Sequence, residues 1–257
     1  QRIAYTWFLL NRLGYDVRIS YSDSSVFLLV PTTNKIYGRS FSEVDRKKYY
    51  MYPEAEKVRL FSYDKQSRQA LAALDFSLSR LIKSSNAKDR LSVEFFLSAI
   101  ESHEFHLEYD LGLSEFLATY PQIDLQWYFT VPPGDPAADS LLQQLRPLIA
   151  DLDERAAINL LLRFTQKLFQ YQTDDQQFGK EKYLLVDESL RYGINDCEDR
   201  SIFLAWLVSS LLGLDVIALD YPGHVALAIR TPTKSADAVV TYNGQKYVVA
   251  DPHFINA

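Results

Sequence analysis

A single cysteine, Cys197, means that no internal disulfide can staple this chain, and its four histidines (His103, His106, His224, His253) show no CxxC or HExxH spacing. No structural metal and no cofactor are expected from that inventory. Basic clusters are lacking too. With 27 Lys and Arg against 33 Asp and Glu, scattered and summing to −6, there is no footprint for a phosphate backbone, so nucleic acid is excluded as an expected partner. Long apolar runs are missing: the longest, residues 202–214, is broken by Ser209 and Ser210 and falls short of the roughly 20 residues a membrane span needs. The chain also begins without Met or a signal-like segment, in a helical pattern already under way, QRIAYTWFLLNRLG. It reads as a piece of a longer protein, and its compartment is not legible from what is present.

What is present is ample core material, 47% hydrophobic and 14% aromatic residues over 257 positions. Part of it repeats. Residues 7–53 align with residues 206–252 at a constant offset of 199, pairing Trp7 with Trp206, Gly14 with Gly213, Asp16 with Asp215, Val26 with Val225 and Pro53 with Pro252. Each copy reads as a helix closed by Gly, then strand, turn, strand, polar connection and a strand ending in Pro.

Between the copies, Leu71, Leu74, Leu78 and Leu81 predict an amphipathic helix over 67–83. RLSVEFFLS and FHLEYDL predict strands, GLSEFLATY a helix and LQWYFTV a strand, while VPPGDPAADS reads as a break with a domain boundary near residue 133. Beyond it, Ala157, Leu161, Phe164, Leu168 and Tyr171 recur at helical spacing after acidic residues, predicting a helix that packs on the one bearing Cys197. The expected class is α+β in three segments: 1–60, a partial and inactive copy of the helix-strand-strand unit; 61–133, an α+β middle region; and 134–257, the catalytic domain.

In NDCEDRS, residues 195–201, Asn195 or Asp196 is a suitable N-cap, which places Cys197 in the first turn of a helix. The helix dipole favours a thiolate there; Glu198 and Asp199 oppose it, so a cationic partner such as an imidazolium is required. His224 opens an apolar strand after the Pro222–Gly223 turn, and Asp251 closes another, each step being 27 residues. If those strands pair antiparallel, His224 and Asp251 share one edge, with Asp251 orienting the imidazole.

YGINDCEDRSIFLAWLV, then GHVALAI, then YVVADP resembles the bacterial branch of the transglutaminase-like, papain-like superfamily over about residues 140–257. The resemblance implies a cysteine helix packed on an antiparallel sheet, with Cys197 as nucleophile, His224 as general base and later acid, and Asp251 as orienting group. It implies acyl transfer from amide bonds through a thioester, hydrolysis (peptidase or amidase) being favoured over transamidation. The substrate class is a peptide or protein, cell-wall peptide included, and a periplasmic or cell-surface site is compatible with it. Oxyanion donors beyond the Cys197 N–H are sought among Gln176, Gln177 and Tyr192, with Gln177 preferred. Glu198 stands where related transglutaminases often carry an aromatic, and no segment resembles a calcium loop, which disfavours a calcium-dependent animal-type enzyme. In the first copy Ser25 and Tyr52 take the histidine and aspartate positions, and the cysteine position precedes the chain, so that copy lacks the chemistry.

Plainer readings compete with these. A lone cysteine in an apolar helix is ordinarily a small buried hydrophobe, although Cys197 precedes the apolar stripe and stands among charges. His103 and His106 read as a solvated face, His253 as lining the Asp251 edge, and Tyr49 and Tyr50 as sheet packing. The rival to an enzyme is a non-catalytic binding or scaffolding module of the same fold.

Overall fold

The computed structural model describes residues 1–22, 25–54, 61–62, 71–78, 81, 88–97 and 101–253. The chain mixes α and β, with antiparallel sheets, and divides into two compact units: Gln1–Ser77 with Pro121–Asp124, and Leu78–Tyr120 with Leu125–Ala257.

The first unit contains α1 (Arg2–Arg12), β1 (Arg18–Tyr21), β2 (Val26–Pro31), β3 (Phe41–Val44), β4 (Lys47–Tyr52) and β5 (Phe61–Ser62), with the sheet ordered β3-β4-β2-β1-β5. Its β2 and β4 bury Leu29, Tyr49 and Met51 together. The helix expected over 67–83 is not found where that span is described: residues 71–78 run irregularly, and Ala72 and Leu74 form isolated bridges to Tyr15 and Thr32. Backbone bonds of Ala72 with Gly14 and Asp16, and of Leu74 with Pro31 and Thr33, satisfy polar groups that a helix would have paired internally. The remainder of 67–83, apart from Leu81, lies outside the described residues.

The second unit begins with the hairpin β6 (Lys88–Phe96) and β7 (Ser102–Asp110), then α2 (Leu111–Ala118), all as read from the sequence. Leu125–Thr130 is a 3₁₀ turn, not the expected strand. Its aromatics suggest β structure, but Tyr128 is buried against Tyr183 instead, with ring centroids 5.3 Å apart. The break after it is a helix start: Gly134 caps α3 (Asp135–Ile149), and Pro136 sits in the first turn, where its missing N–H costs nothing.

Helix α4 (Glu154–Leu168) forms as expected, capped by Asp153, whose carboxylate accepts the Ala156 N–H at 2.8 Å. Tyr171 falls beyond it, on β8 (Gln170–Tyr171), which pairs in parallel with β9 (Ile194–Asn195). Between these lie α5 (Asp174–Gln177) and α6 (Val186–Tyr192). Then α7 (Cys197–Leu212), buried along most of its length and ended by Gly213 at φ 66°, packs on β10 (Val216–Tyr221) and β11 (His224–Ile229), which share a sheet with β12 (Val239–Tyr242) and β13 (Gln245–Ala250), ordered β10-β11-β13-β12.

One continuous core joins these elements. Phe95, Phe105 and Leu107 of the hairpin meet Leu141 and Leu145 of α3, Leu161 and Phe164 of α4, Phe203 and Leu207 of α7, and Leu227 of β11. The hairpin and α2 therefore belong with the C-terminal elements, and the compact units do not follow the expected boundaries at 60 and 133. Among the described residues β7 packs against α3 and α6, and its Phe105 ring against Phe164 of α4, long-range pairings that local composition does not record.

The two sheets share an order: β3-β4-β2-β1 in the first corresponds to β12-β13-β11-β10 in the second. Register agrees where the repeat is best. Arg18 pairs with Leu29 and Ile217 with Ala228, the same pairing once each residue is shifted by 199.

Candidate active site

Three elements converge on Cys197, His224 and Asp251. Asp196 occupies the N-cap of α7 with an extended backbone, and Cys197 is its first residue. His224 opens β11 directly after a two-residue turn in which Gly223 adopts φ 74°, a left-handed conformation that suits glycine. Antiparallel pairing of β11 with β13 carries the end of β13 back to that edge. His224 Nε2 and Asp251 Oδ2 meet at 2.8 Å, both side chains partly exposed. The second oxygen of Asp251 accepts the His253 N–H at 2.9 Å, fixing the carboxylate.

The first turn of α7 lies on the start of β11. Ser201 Oγ donates to the Val225 carbonyl at 3.1 Å, and the Cys197 thiol is beside the Val225 N–H, one residue from His224. The thiol donates to Glu198 Oε2 at 3.0 Å. Burial, first, and that bond to Glu198, second, push its pKa up to about 12. The opposition expected from Glu198 is thus met in the structure: desolvation and that adjacent carboxylate outweigh the helix N-terminus and favour the neutral thiol.

Two rings neighbour the imidazole. Tyr221, cross-strand partner of His224, stacks nearly parallel to it with centroids 6.5 Å apart. His253 lies 5.7 Å from His224 and 4.4 Å from Tyr171. His253 thus lines the Asp251 edge, whereas Tyr171 was read from sequence as part of a helical face and Tyr221 was not singled out. The Pro-Gly turn ahead of His224 was the available signal for Tyr221. Gln177, the preferred oxyanion candidate, ends α5, with Oε1 buried and without a hydrogen-bond partner. The other candidate Tyr192 packs its ring on Phe178 at 5.3 Å.

Five acids gather beside the cysteine: Asp174, Glu181, Asp196, Glu198 and Asp199. Carboxylate oxygens of Asp174, Asp196 and Asp199 lie within 4.8 Å of one another, as do those of Asp174, Glu181 and Glu198. Burial and mutual repulsion raise Asp174 to about 6, Glu181 to about 7 and Asp196 to about 9, and hold Asp199 well above the carboxylate range. The acids arrive from three separate segments, so no contiguous ligand loop marks them in the sequence. Their all-oxygen chemistry suits a hard divalent cation.

The two expected surface histidines sit elsewhere. His103 and His106 border a cavity of about 620 Å³ between the β6–β7 hairpin and α3, with Lys88, Glu108, Ser140 and Gln144. No family model, curated protein or solved structure matches the chain. Among the described residues no helix is long and apolar enough to cross a membrane.

Proposed function

We propose that the second unit is a cysteine-dependent acyl-transfer enzyme of transglutaminase-like type, cleaving amide bonds through a thioester. The observation that carries this reading is the 2.8 Å His224–Asp251 pair, placed one residue from the N–H that meets the Cys197 thiol. Helix, strand and strand deliver the three groups in the order Cys, His, Asp.

With Nε2 held by Asp251, His224 exchanges protons with the thiol through Nδ1. Cys197 Sγ then attacks the amide carbonyl carbon, and the Cys197 backbone N–H at the helix N-terminus stabilises the oxyanion, with Gln177 as the proposed second donor. Collapse breaks the C–N bond, the amine leaves with the proton from the imidazolium, and water activated by the same imidazole hydrolyses the thioester. Hydrolysis is favoured over transfer because no sequence motif marks a second, amine-binding site. The attacking thiolate forms only after Glu198 gives up its hydrogen bond to sulfur. A peptide or protein, cell-wall peptide included, is the proposed substrate class.

The second reading, a non-catalytic module of the same fold, is favoured by one specific observation: Cys197 is 8% exposed and its thiol is held neutral. Amine release from a panel of peptides and muropeptides separates the two. The enzymatic reading expects turnover that falls at least about 1,000-fold in Cys197→Ser and in His224→Ala, each with an unchanged circular dichroism spectrum. Binding without amine release, equal in wild type and Cys197→Ser, establishes the scaffold instead.

A further inference from the structure

We infer that the outer edge of β10 binds peptide: an extended chain adds to it as a fifth, antiparallel strand and is thereby led to Cys197 and His224. The internal repeat supplies the occupant. In the first unit β1, the counterpart of β10 at the offset of 199, carries β5 on its outer edge, with Ser20 opposite Ser62 and Tyr21 opposite Phe61. Side chains reinforce that added strand: Ser20 Oγ donates to the Phe61 carbonyl at 2.9 Å, and Tyr21 stacks on Phe61 with centroids 5.6 Å apart. In the second unit the sheet stops at β10, and among the described residues no strand pairs with its outer edge.

The turn before His224 fixes which groups this edge offers. Tyr221 and His224 face one another across two residues, as Ser22 and Ser25 do in the first unit, where each N–H donates to the other's carbonyl, at 2.9 and 3.4 Å. Hydrogen-bonded pairs alternate along an antiparallel ladder, so Tyr221, Leu219 and Ile217 bond to β11, while the N–H and C=O of Asp220, Ala218 and Val216 point outward. Ala218 and Asp220 are exposed. Natural edge strands are ordinarily blunted by Lys, Pro or a bulge. β10, VIALDY, has one charge, Asp220, and no Pro, and its register with β11 is unbroken over all six residues. On such an edge main-chain pairing supplies affinity, and pockets for alternate side chains supply selection.

Strand direction then says which part of the peptide is held. β10 runs toward the turn before His224, so a chain antiparallel to it, as β5 is to β1, starts beside Tyr221 and runs away from the site. The residues on the edge therefore lie C-terminal to the amide that reaches Cys197, on the side that leaves as the amine. Their strand stands two strand spacings, about 9–10 Å, from β11, a gap that about three extended residues cross. Tyr221, 47% exposed, stands where the chain turns in toward His224. The assignment of the held side rests on the acyl-transfer reading; the open edge of β10 does not.

Hydrogen exchange read by NMR on the full chain carrying Cys197→Ser tests the edge without requiring turnover. The probe is a synthetic peptide of residues 57–65, KVRLFSYDK, which contains the strand that β1 accepts. The expected result, at about 10-fold excess over Kd, is exchange slowed about tenfold at Ala218 and Asp220, with Ile217 and Leu219 unchanged. Ala218→Pro, which an edge strand accepts at an outward N–H, abolishes the slowing at Asp220 and leaves the circular dichroism spectrum unchanged. N-methylation of every second peptide nitrogen, which leaves the protein untouched, abolishes it in one phase and spares it in the other. No slowing up to about 5 mM peptide overturns the inference. So does slowing that survives Ala218→Pro, or slowing that grows with protein concentration in the absence of peptide, which assigns the edge to a second copy. With wild type, removing the residues C-terminal to the cleaved amide of a panel peptide lowers kcat/KM at least about tenfold, and removing those N-terminal to it does so less than about twofold. The opposite pattern overturns the held side. Slowed exchange in β10 of a chain that releases amine from no peptide leaves the edge established and refutes the acyl-transfer reading alone.

Discussion

Glu198 is the residue on which the chemistry of this site turns. Its carboxylate lies 3.0 Å from the Cys197 sulfur and, after burial, is the main reason the thiol titrates near 12. A group with so high a pKa is a negligible nucleophile at neutral pH, because reaction runs through the thiolate. Removing the charge should expose what burial alone imposes. In chelator, Glu198→Gln is expected to raise the rate of Cys197 alkylation by iodoacetamide at pH 8 by about tenfold for each unit the thiol pKa falls. Adding His224→Ala should remove part of that gain if the imidazole receives the proton. Equal rates in wild type and Glu198→Gln would assign the unreactive thiol to burial and leave Glu198 without a role. Cys197, His224 and Asp251 were legible in the sequence, because a helix start, a strand start after Pro-Gly and a strand end each have local signatures. The hydrogen bond that keeps the thiol neutral was not, since side-chain rotamers are chosen by packing.

At the scale of elements, the junction of α3 with α6 shows how a buried acid is tolerated. Gly134, the N-cap of α3, donates its N–H to Asp187 Oδ2 at 2.8 Å, and a Cβ added there would lie 2.9 Å from Asp187 Oδ1 and 3.1 Å from Leu113 Cδ2. Gly134→Ala, although its φ of −61° suits alanine, is expected to cost about 1–3 kcal/mol in urea unfolding through that clash. Asp187 itself is buried, which raises its pKa from the usual 3.8 to about 6. Between those values the folded state binds more protons than the unfolded chain. Its contribution to stability is therefore whole below about pH 4 and is lost as pH rises through 6, on the order of 3 kcal/mol. Asp187→Asn, which retains the acceptor for Gly134, should match wild type at pH 4 and exceed its unfolding midpoint at pH 8. A wild type more stable than Asp187→Asn at pH 8 would show that the carboxylate is favoured in place. The start of α3 was misread because Pro and Gly mark a helix N-terminus as readily as a break, and only the Asp187 acceptor across the fold distinguishes them.

At the scale of the whole chain, the second unit is held by a core that ignores sequence neighbourhood. Phe164 of α4 packs its ring 5.4 Å from Phe95 and 4.8 Å from Phe105, tying the β6–β7 hairpin to the helix that also supports α7. Phe164→Ala should cost about 3–5 kcal/mol by urea unfolding, and the hairpin amides should lose hydrogen-exchange protection together with those of α7. A hairpin that keeps its protection while α7 opens would mean the two are separate cooperative units. By itself the sequence determined what depends on local periodicity and spacing: α4, α7, the β6–β7 pair, the turn before His224, and the 199-residue offset now seen again in the β1–β2 and β10–β11 register. Helical and strand periods are written in consecutive side chains, so they survive reading in one dimension. Tertiary structure alone decided that Ala72 and Leu74 bridge to Tyr15 and Thr32, that the hairpin joins the C-terminal core, and that acids 174, 181, 196, 198 and 199 crowd one cysteine. Those outcomes are set by burial and by charges brought together from distant segments, and neither quantity exists until the chain has folded.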